Sequence, residues 1–227
     1  MFYLCTKLFA MKIINLSEQS SILTQYISEI RNKDIQKDKL RFRNNIERIG
    51  EIFAYEISKI VDYEDCEIRT PLGIANCRNL KQNIVIASII RAALPLHKGF
   101  LNIFDQADNA FIGAYRKYGK NNKFTIHIDY VSAHEVDKKI LILADTMLAT
   151  GASIEIAYNR ICQDGTPKHS HIVCPISSKQ GIEYLSKNLP SDNVTLWVGS
   201  IDEELTNKSY IIPGLGDAGD LCFGTKL

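Results

Sequence analysis

Asp145, Thr150, Gly151 and Ser153 stand close enough in sequence to build a seat for a phosphorylated sugar. They lie in Ile140-Leu-Ile-Leu-Ala-Asp-Thr-Met-Leu-Ala-Thr-Gly-Ala-Ser153, where consecutive apolar residues read as a strand buried on both faces. A small, polar, glycine-bearing segment then leads into a helical pattern that reaches Tyr158. The first turn of a helix has N–H groups without intrahelical acceptors, aligned with the positive end of the macrodipole, so it holds an anion without a dedicated cation. Thr150, Gly151, Ala152 and Ser153 fit that position. Gly151 would let the backbone approach a ligand closely, and the Thr150 and Ser153 hydroxyls could donate or cap the helix. Asp145 would repel a phosphate and therefore suits neighbouring hydroxyls, such as those of a ribose. A plain βα turn with a helix cap uses the same residue types, and the pattern alone leaves both readings open.

Asp145-Thr-Met-Leu-Ala-Thr-Gly-Ala-Ser153 resembles the phosphoribosyl-diphosphate (PRPP) loop of the uracil phosphoribosyltransferases, whose usual form is Asp-Pro-Met-Leu-Ala-Thr-Gly-Gly-Ser. Tyr210-Ile-Ile-Pro-Gly-Leu-Gly-Asp-Ala-Gly-Asp220 is similar to that family's uracil-binding segment. The resemblance covers about residues 17–225. It implies PRPP contacts at Asp145, Thr146, Met147, Leu148, Ala149, Thr150, Gly151, Ala152, Ser153 and Ala218, and base contacts at Ile212, Asp217, Ala218 and Gly219. Ile90-Arg-Ala-Ala-Leu94 resembles the family's Leu-Arg-Ala-Gly-Leu, and Tyr115-Arg116 its Met-Tyr-Arg, which implies that Arg91 and Arg116 meet the diphosphate. Arg91, Asp145 and Asp217 are the residues expected to carry catalysis. The implied substrates are PRPP and uracil, with Mg²⁺ held mainly by PRPP and no direct protein metal site.

Departures from the family pattern occur at Ala93, Thr146 and Ala152, where Gly, Pro and Gly are usual. If position 93 demanded a positive φ or close approach to the diphosphate, its methyl group would weaken the site. A weakened paralogue is therefore one alternative, and a PRPP-fold regulator that binds RNA is another. The second needs a basic face with exposed aromatics, which a net charge of +1 disfavours.

Two other nucleotide signatures fail on spacing. Gly113 to Gly119 encloses five residues where a Walker loop needs four, and Asn follows the lysine. Gly214-Leu-Gly-Asp-Ala-Gly219 spells a dinucleotide fingerprint, but only eight residues follow it, too few for a helix, a second strand and a ribose-binding acid. A glycine-rich backbone surface shaped to a flat ligand is the better reading of that tail.

The positioning elements follow from periodicity. Ile22, Leu23, Tyr26, Ile27 and Ile30 recur at helical spacing, and Phe42, Ile46, Ile49, Phe53, Ile57 and Ile60 form a second stripe. Glu67 to Cys77, with internal Pro and Gly, reads as an edge hairpin, which the resemblance joins to the C-terminal segment in a hood over the base. Asn83–Ile90 reads as a buried strand that delivers Arg91 to its carboxyl end, where open α/β sheets bind ligands. A helix from Leu94 to Phe104 has Pro95 in its first turn. Ala110–Tyr115 and Phe124–Tyr130 read as a strand hairpin, with residues 117–124 the candidate lid. After a helix over Ile154–Ile161, strands at His171–Pro175 and Val194–Val198 flank a helix at Lys179–Lys187.

This alternation implies an α/β protein with a mainly parallel central sheet and helices on both faces. The resemblance makes it the type I phosphoribosyltransferase fold, with a small hood formed with the C-terminal segment. At 227 residues, 45% hydrophobic and 23% charged, the chain suits a single domain over residues 11–227. Residues 1–10 read as a disordered arm or a misplaced start. Net charge gives no case for nucleic acid or an anionic membrane. Six cysteines without paired spacing read as reduced thiols in a cytoplasmic protein, and the five histidines as surface or strand residues without metal spacing. A homodimer or higher homo-oligomer is expected.

Overall fold

A computed structural model describes residues 11–118 and 124–225. Four apolar strands form the centre of the sheet: β4 (Ile84–Ile90), β7 (Ile140–Ala144), β9 (His169–Ser178) and β10 (Val194–Asp202). They pair in parallel in the order β10-β9-β7-β4, and β1 (Lys12–Asn15) extends the sheet beside β10, also parallel. On the other side, β5 (Asp108–Tyr118) runs parallel to β4 and is closed by antiparallel β6 (Phe124–Ser132). The mainly parallel sheet expected from the sequence is therefore present, with one antiparallel edge.

Alternate strand residues feed two cores. On one face, Ile84, Ile86, Ile140, Ile142, Val173 and Trp197 pack with α1 (Ile22–Arg31), α2 (Lys39–Ser58) and α3 (Leu94–Leu101). On the other, Val85, Ala87, Leu141, Leu143, Ile172 and Leu196 pack with α4 (Ala152–Ile161) and α5 (Lys179–Asn188). Period-two alternation on strands that send apolar side chains to both sides requires helices on both faces, and both are there.

Ser21 and Asp38 start α1 and α2 by accepting from first-turn amides, and Pro95 sits in the first turn of α3. The α2 stripe buries Phe42, Ile46, Ile49, Phe53 and Ile57, whereas Ile60 lies beyond the helix and is exposed. In α1, Ile22 is exposed although it fits the spacing. The two helices are stapled by Glu29, which accepts from Arg41 and Asn45; these hydrogen bonds hold its carboxyl at about 2.

The hairpin read at 67–77 is longer, β2 (Tyr63–Thr70) with β3 (Gly73–Leu80), and it pairs only with itself. The C-terminal segment makes a separate ribbon, β11 (Glu204–Leu205) with β12 (Ile211–Ile212). It is this ribbon that covers the carboxyl edge of the sheet.

Two histidines are buried, of which His97, in a helix, differs from the expected surface or strand placement and His171, in a strand, agrees with it. His97 is buried in α3, where Nδ1 accepts from the Ser88 hydroxyl (2.8 Å) and Nε2 donates to Asn109 Oδ1 (2.7 Å). The Asn109 amide donates to Ala107 O, which turns its oxygen toward the ring and fixes this tautomer. Burial holds the ring below its usual range, so it stays neutral and ties α3 to β4 and β5. His171, in β9, is also buried; its Nδ1 accepts from the Trp197 indole (3.1 Å), and burial pushes it down to about 3.

Candidate active site

A cavity of about 400 Å³ opens at the carboxyl ends of β4 and β7, beneath the C-terminal ribbon. Its lining includes Arg91, Asp145, Thr146, Met147, Ala149, Ser153, Asp217, Ala218 and Gly219. Two stretches separated by more than 50 residues, one expected at PRPP and the other mainly at the base, thus border one space.

The 145–153 loop is held from behind. Past β7, Met147–Leu148 forms a short strand, β8, parallel to β9, with Met147 opposite Ile176 and Leu148 opposite Ser177. The Ser178 hydroxyl donates to Ala149 O (2.5 Å) and accepts from Gly181 N (2.9 Å), joining the loop to the start of α5. Asp145 N donates to Val173 O, and Asp145 Oδ1 accepts from Thr146 N (2.7 Å), which turns the carboxylate back over its own loop. Leu148, expected at PRPP, instead has its side chain in the core among the α5 residues, because β8 pairing sends it inward.

Gly151 starts α4 at φ +88°, with no side-chain cap, so Thr150 and Ser153 do not cap this helix as their hydroxyls allowed. The first intrahelical bond at this end is Glu155 N to Gly151 O (3.0 Å), leaving the amides of Ala152, Ser153 and Ile154 as first-turn donors. Gly151 is required for a reason other than ligand approach. A Cβ there would lie 2.7 Å from Tyr184 Cδ1 and 3.2 Å from Gly181 O, so its bare face is turned to α5. Thr150, Gly151 and Ala152 themselves stand outside the cavity lining, and the side chain that reaches it is Ser153.

Arg91 follows β4, and the Ile90–Arg91 peptide is cis. Its Nη2 donates to Asp220 Oδ1 (3.0 Å) and Gly224 O (2.5 Å), while Nε is buried with no partner. An unsatisfied buried donor at a cavity wall is costly in the absence of an acceptor. Asp220 belongs to α6 (Ala218–Phe223), a short helix that the reading of the glycine-rich tail excluded. Asp217 caps it, its Oδ1 accepting from Asp220 N (3.0 Å), so the tail is long enough for a helix after all because an aspartate nucleates it.

Other assignments fall elsewhere. Ile212 is exposed and stands outside the lining, whereas its neighbour Ile211 is buried and lines the cavity. Ser209, Tyr210 and Gly216 also line it and were missed, although Tyr210 lies inside the recognised segment. Asp220 was missed as the partner of Arg91. No residue of β2 or β3 lines the cavity. Arg116 falls in β5, opposite Ile126, but its side chain, like most of the lid at 117–124, is outside the described residues.

The family model for uracil phosphoribosyltransferase matches residues 17–225. This chain belongs to that family. Uracil phosphoribosyltransferase of Porphyromonas gingivalis is 48% identical over 217 residues, spanning 96% of this chain and all of that one. The Pyrococcus furiosus enzyme of the same name is 34% identical, with 91% of this chain and 88% of that one covered. Among solved structures, the AQ2163 protein of Aquifex aeolicus superposes with a TM-score of 0.84 at 29% identity, over 95% of this chain and 99% of that one. Where the family usually has glycine, this chain has Ala93. Ala93 sits at φ −80° with its methyl fully buried, so position 93 asks for neither a positive φ nor space at the cavity.

Proposed function

We infer that this chain transfers the phosphoribosyl group of PRPP to uracil, giving uridine 5′-monophosphate and diphosphate. The observation that carries the reading is the shared cavity: a phosphate-type loop at 145–153 and a glycine-rich segment at 216–219 face the same space. In this reading the first-turn amides of α4 with Thr150 and Ser153 take the 5-phosphate, and Asp145 accepts from the ribose hydroxyls. Arg91, with Arg116 from β5, stabilises the charge that develops on the departing diphosphate while the anomeric carbon becomes oxocarbenium-like.

Uracil presents alternating carbonyl acceptors and N–H donors, which backbone groups of 217–219 complement. Asp217 receives the N1 proton through the carboxylate oxygen not engaged in capping α6. An amide N–H facing the uracil 4-oxygen would face the amino group of cytosine donor to donor, and unpaired buried polar groups cost ~1–3 kcal/mol each.

Among the described residues no group of three or more His, Cys, Asp or Glu is arranged to hold a metal ion, while Asp145 and Asp217 are carboxylates at the cavity. Those carboxylates would suit Mg²⁺ carried mainly by substrate oxygens and water, and Asp145 would be the protein group facing the ribose hydroxyls. When bound, Mg²⁺ neutralises charge on the diphosphate. The proposal includes a cytoplasmic setting, supported by five described cysteines that are all free thiols, and a homo-oligomer, supported by the exposed apolar residues Ile68, Leu72 and Ile74 on the β2–β3 hairpin. No helix is long and apolar enough to cross a membrane among the described residues.

Steady-state assays with PRPP and uracil, cytosine, hypoxanthine or orotate, with Mg²⁺ or with a chelator, test this. Product from uracil alone, lost on chelation, is expected. Turnover of hypoxanthine or orotate with uracil inert would overturn it.

A further inference from the structure

We propose that Arg31 and Asp202 are positioning residues for the base-reading segment, gripping Gly214 by both of its backbone polar groups so that residues 216–219 meet the pyrimidine in one register. The inference rests on the reading that this segment contacts the base.

Three distant parts of the chain converge here. Asp202, at the end of β10 and 6% exposed, accepts from Gly214 N (3.0 Å) and Arg31 Nη1 (2.8 Å) at Oδ2, and from Arg31 Nη2 (2.8 Å) at Oδ1. Arg31, the last residue of α1, also donates from Nη1 to Gly214 O (2.9 Å) and from Nη2 to Ser200 Oγ (2.8 Å). Both main-chain groups of Gly214 are therefore held by one fork-to-fork ion pair. With its amide nitrogen turned inward, Gln36 adds donors to Leu215 O (2.9 Å) and Ile30 O (3.3 Å).

Gly214 itself stands at φ +54°, and a Cβ there would lie 2.3 Å from Ile211 O, so only glycine can occupy the gripped position. Two residues later Gly216, at φ +96°, lines the cavity, and Asp217, Ala218 and Gly219 follow. Neither Arg31 nor Asp202 lines the cavity, so neither touches a substrate there.

The energetics separate positioning from mere stability. A largely buried ion pair costs desolvation comparable to its attraction, and apolar residues of similar volume commonly serve stability as well. What apolar residues cannot do is satisfy and orient a loop amide and carbonyl together. Leu215 and Ile211, both buried, already supply the apolar attachment of this segment to the core. The bidentate pair adds direction, which backbone recognition of a planar base requires.

The test is the kinetics of Arg31→Ala, Arg31→Lys and Ser200→Ala, each with thermal melting and near-UV circular dichroism. For Arg31→Ala the uracil KM is expected to rise about tenfold while the PRPP KM stays within about twofold, and ethylguanidinium should lower the uracil KM again. Arg31→Lys, which keeps charge but loses the fork, should fall between wild type and Arg31→Ala. If Arg31→Ala does not fold, Arg31→Lys and Ser200→Ala carry the test on the same split. An unchanged uracil KM in a folded variant, or uracil and PRPP KM rising together, overturns the proposal. Gly219→Ala is run beside them, since its methyl would point toward Asp217 Oδ1 (3.2 Å) and Arg91 Nε (3.7 Å). If it raises the uracil KM and the Arg31 variants do not, the clamp alone fails. If it leaves the uracil KM unchanged, the base-site reading fails and the clamp with it.

Discussion

Arg91→Ala is expected to slow transfer from PRPP by about 100-fold or more in kcat/KM, roughly 3 kcal/mol of barrier. The size follows from where the guanidinium stands. It leaves the carboxyl end of a buried strand, reaches the cavity wall, and is held by Asp220 and Gly224 O on one nitrogen while Nε faces no acceptor. In the proposed reaction such a group would meet charge that forms only as diphosphate departs, and a pre-positioned donor facing developing charge in a cavity is worth more than one in water. Its side chain is 29% exposed, and that of Asp220 is 36% exposed, so the ion pair itself contributes little to stability. The variant should therefore melt close to wild type. Steady-state kinetics beside a melting curve check both halves, and near-normal turnover would remove Arg91 from the chemistry.

Gly151→Ala should raise the PRPP KM by about tenfold or more, because two costs fall on one atom. At φ +88° an L side chain pays about 1–2 kcal/mol, and the new methyl would sit 2.7 Å from Tyr184 Cδ1. Tyr184 cannot swing freely, since its hydroxyl donates to Glu155 Oε2 (2.6 Å), a residue of α4 itself. Relief must come from moving the start of α4, which carries the first-turn amides. Tyr184→Ala placed in the same chain removes the closest overlap but neither the Gly181 O contact (3.2 Å) nor the backbone strain, so it should restore part of the PRPP KM. Full restoration would show that φ and the Gly181 O contact are immaterial, and no effect of Gly151→Ala at all would detach this helix from phosphate binding.

Much of this arrangement was legible in the residues, and the parts that were not share a physical character. Strands such as Ile84–Ile90 and Ile140–Ala144 announce themselves because both faces are buried, so nearly every position is apolar. The helices declare themselves through stripes, as in Phe42 to Ile57. Short elements were invisible because their reason for existing is a distant partner. Lys12–Asn15 is a strand only because β10 lies beside it, and Met147–Leu148 only because β9 offers Ile176 and Ser177. Helix α6 hid behind its glycines, and its Asp217 cap was read as a base contact and a catalytic group rather than as the start of a helix. Within the site, motif residues located the cavity, but which side chains face it depended on pairing: Leu148 turns into the core, and Ile211 rather than Ile212 lines the space. The Gly214 clamp was beyond reach for the same reason, since its members are 171 and 183 residues apart.

The most direct measurement is a crystal structure with uridine 5′-monophosphate bound. The phosphate should lie about 3 Å from amides within residues 151–154, with the pyrimidine edge against residues 216–219 and the ribose hydroxyls toward Asp145. A nucleotide bound with its phosphate away from the start of α4, or with its base turned from the C-terminal segment, would contradict the account.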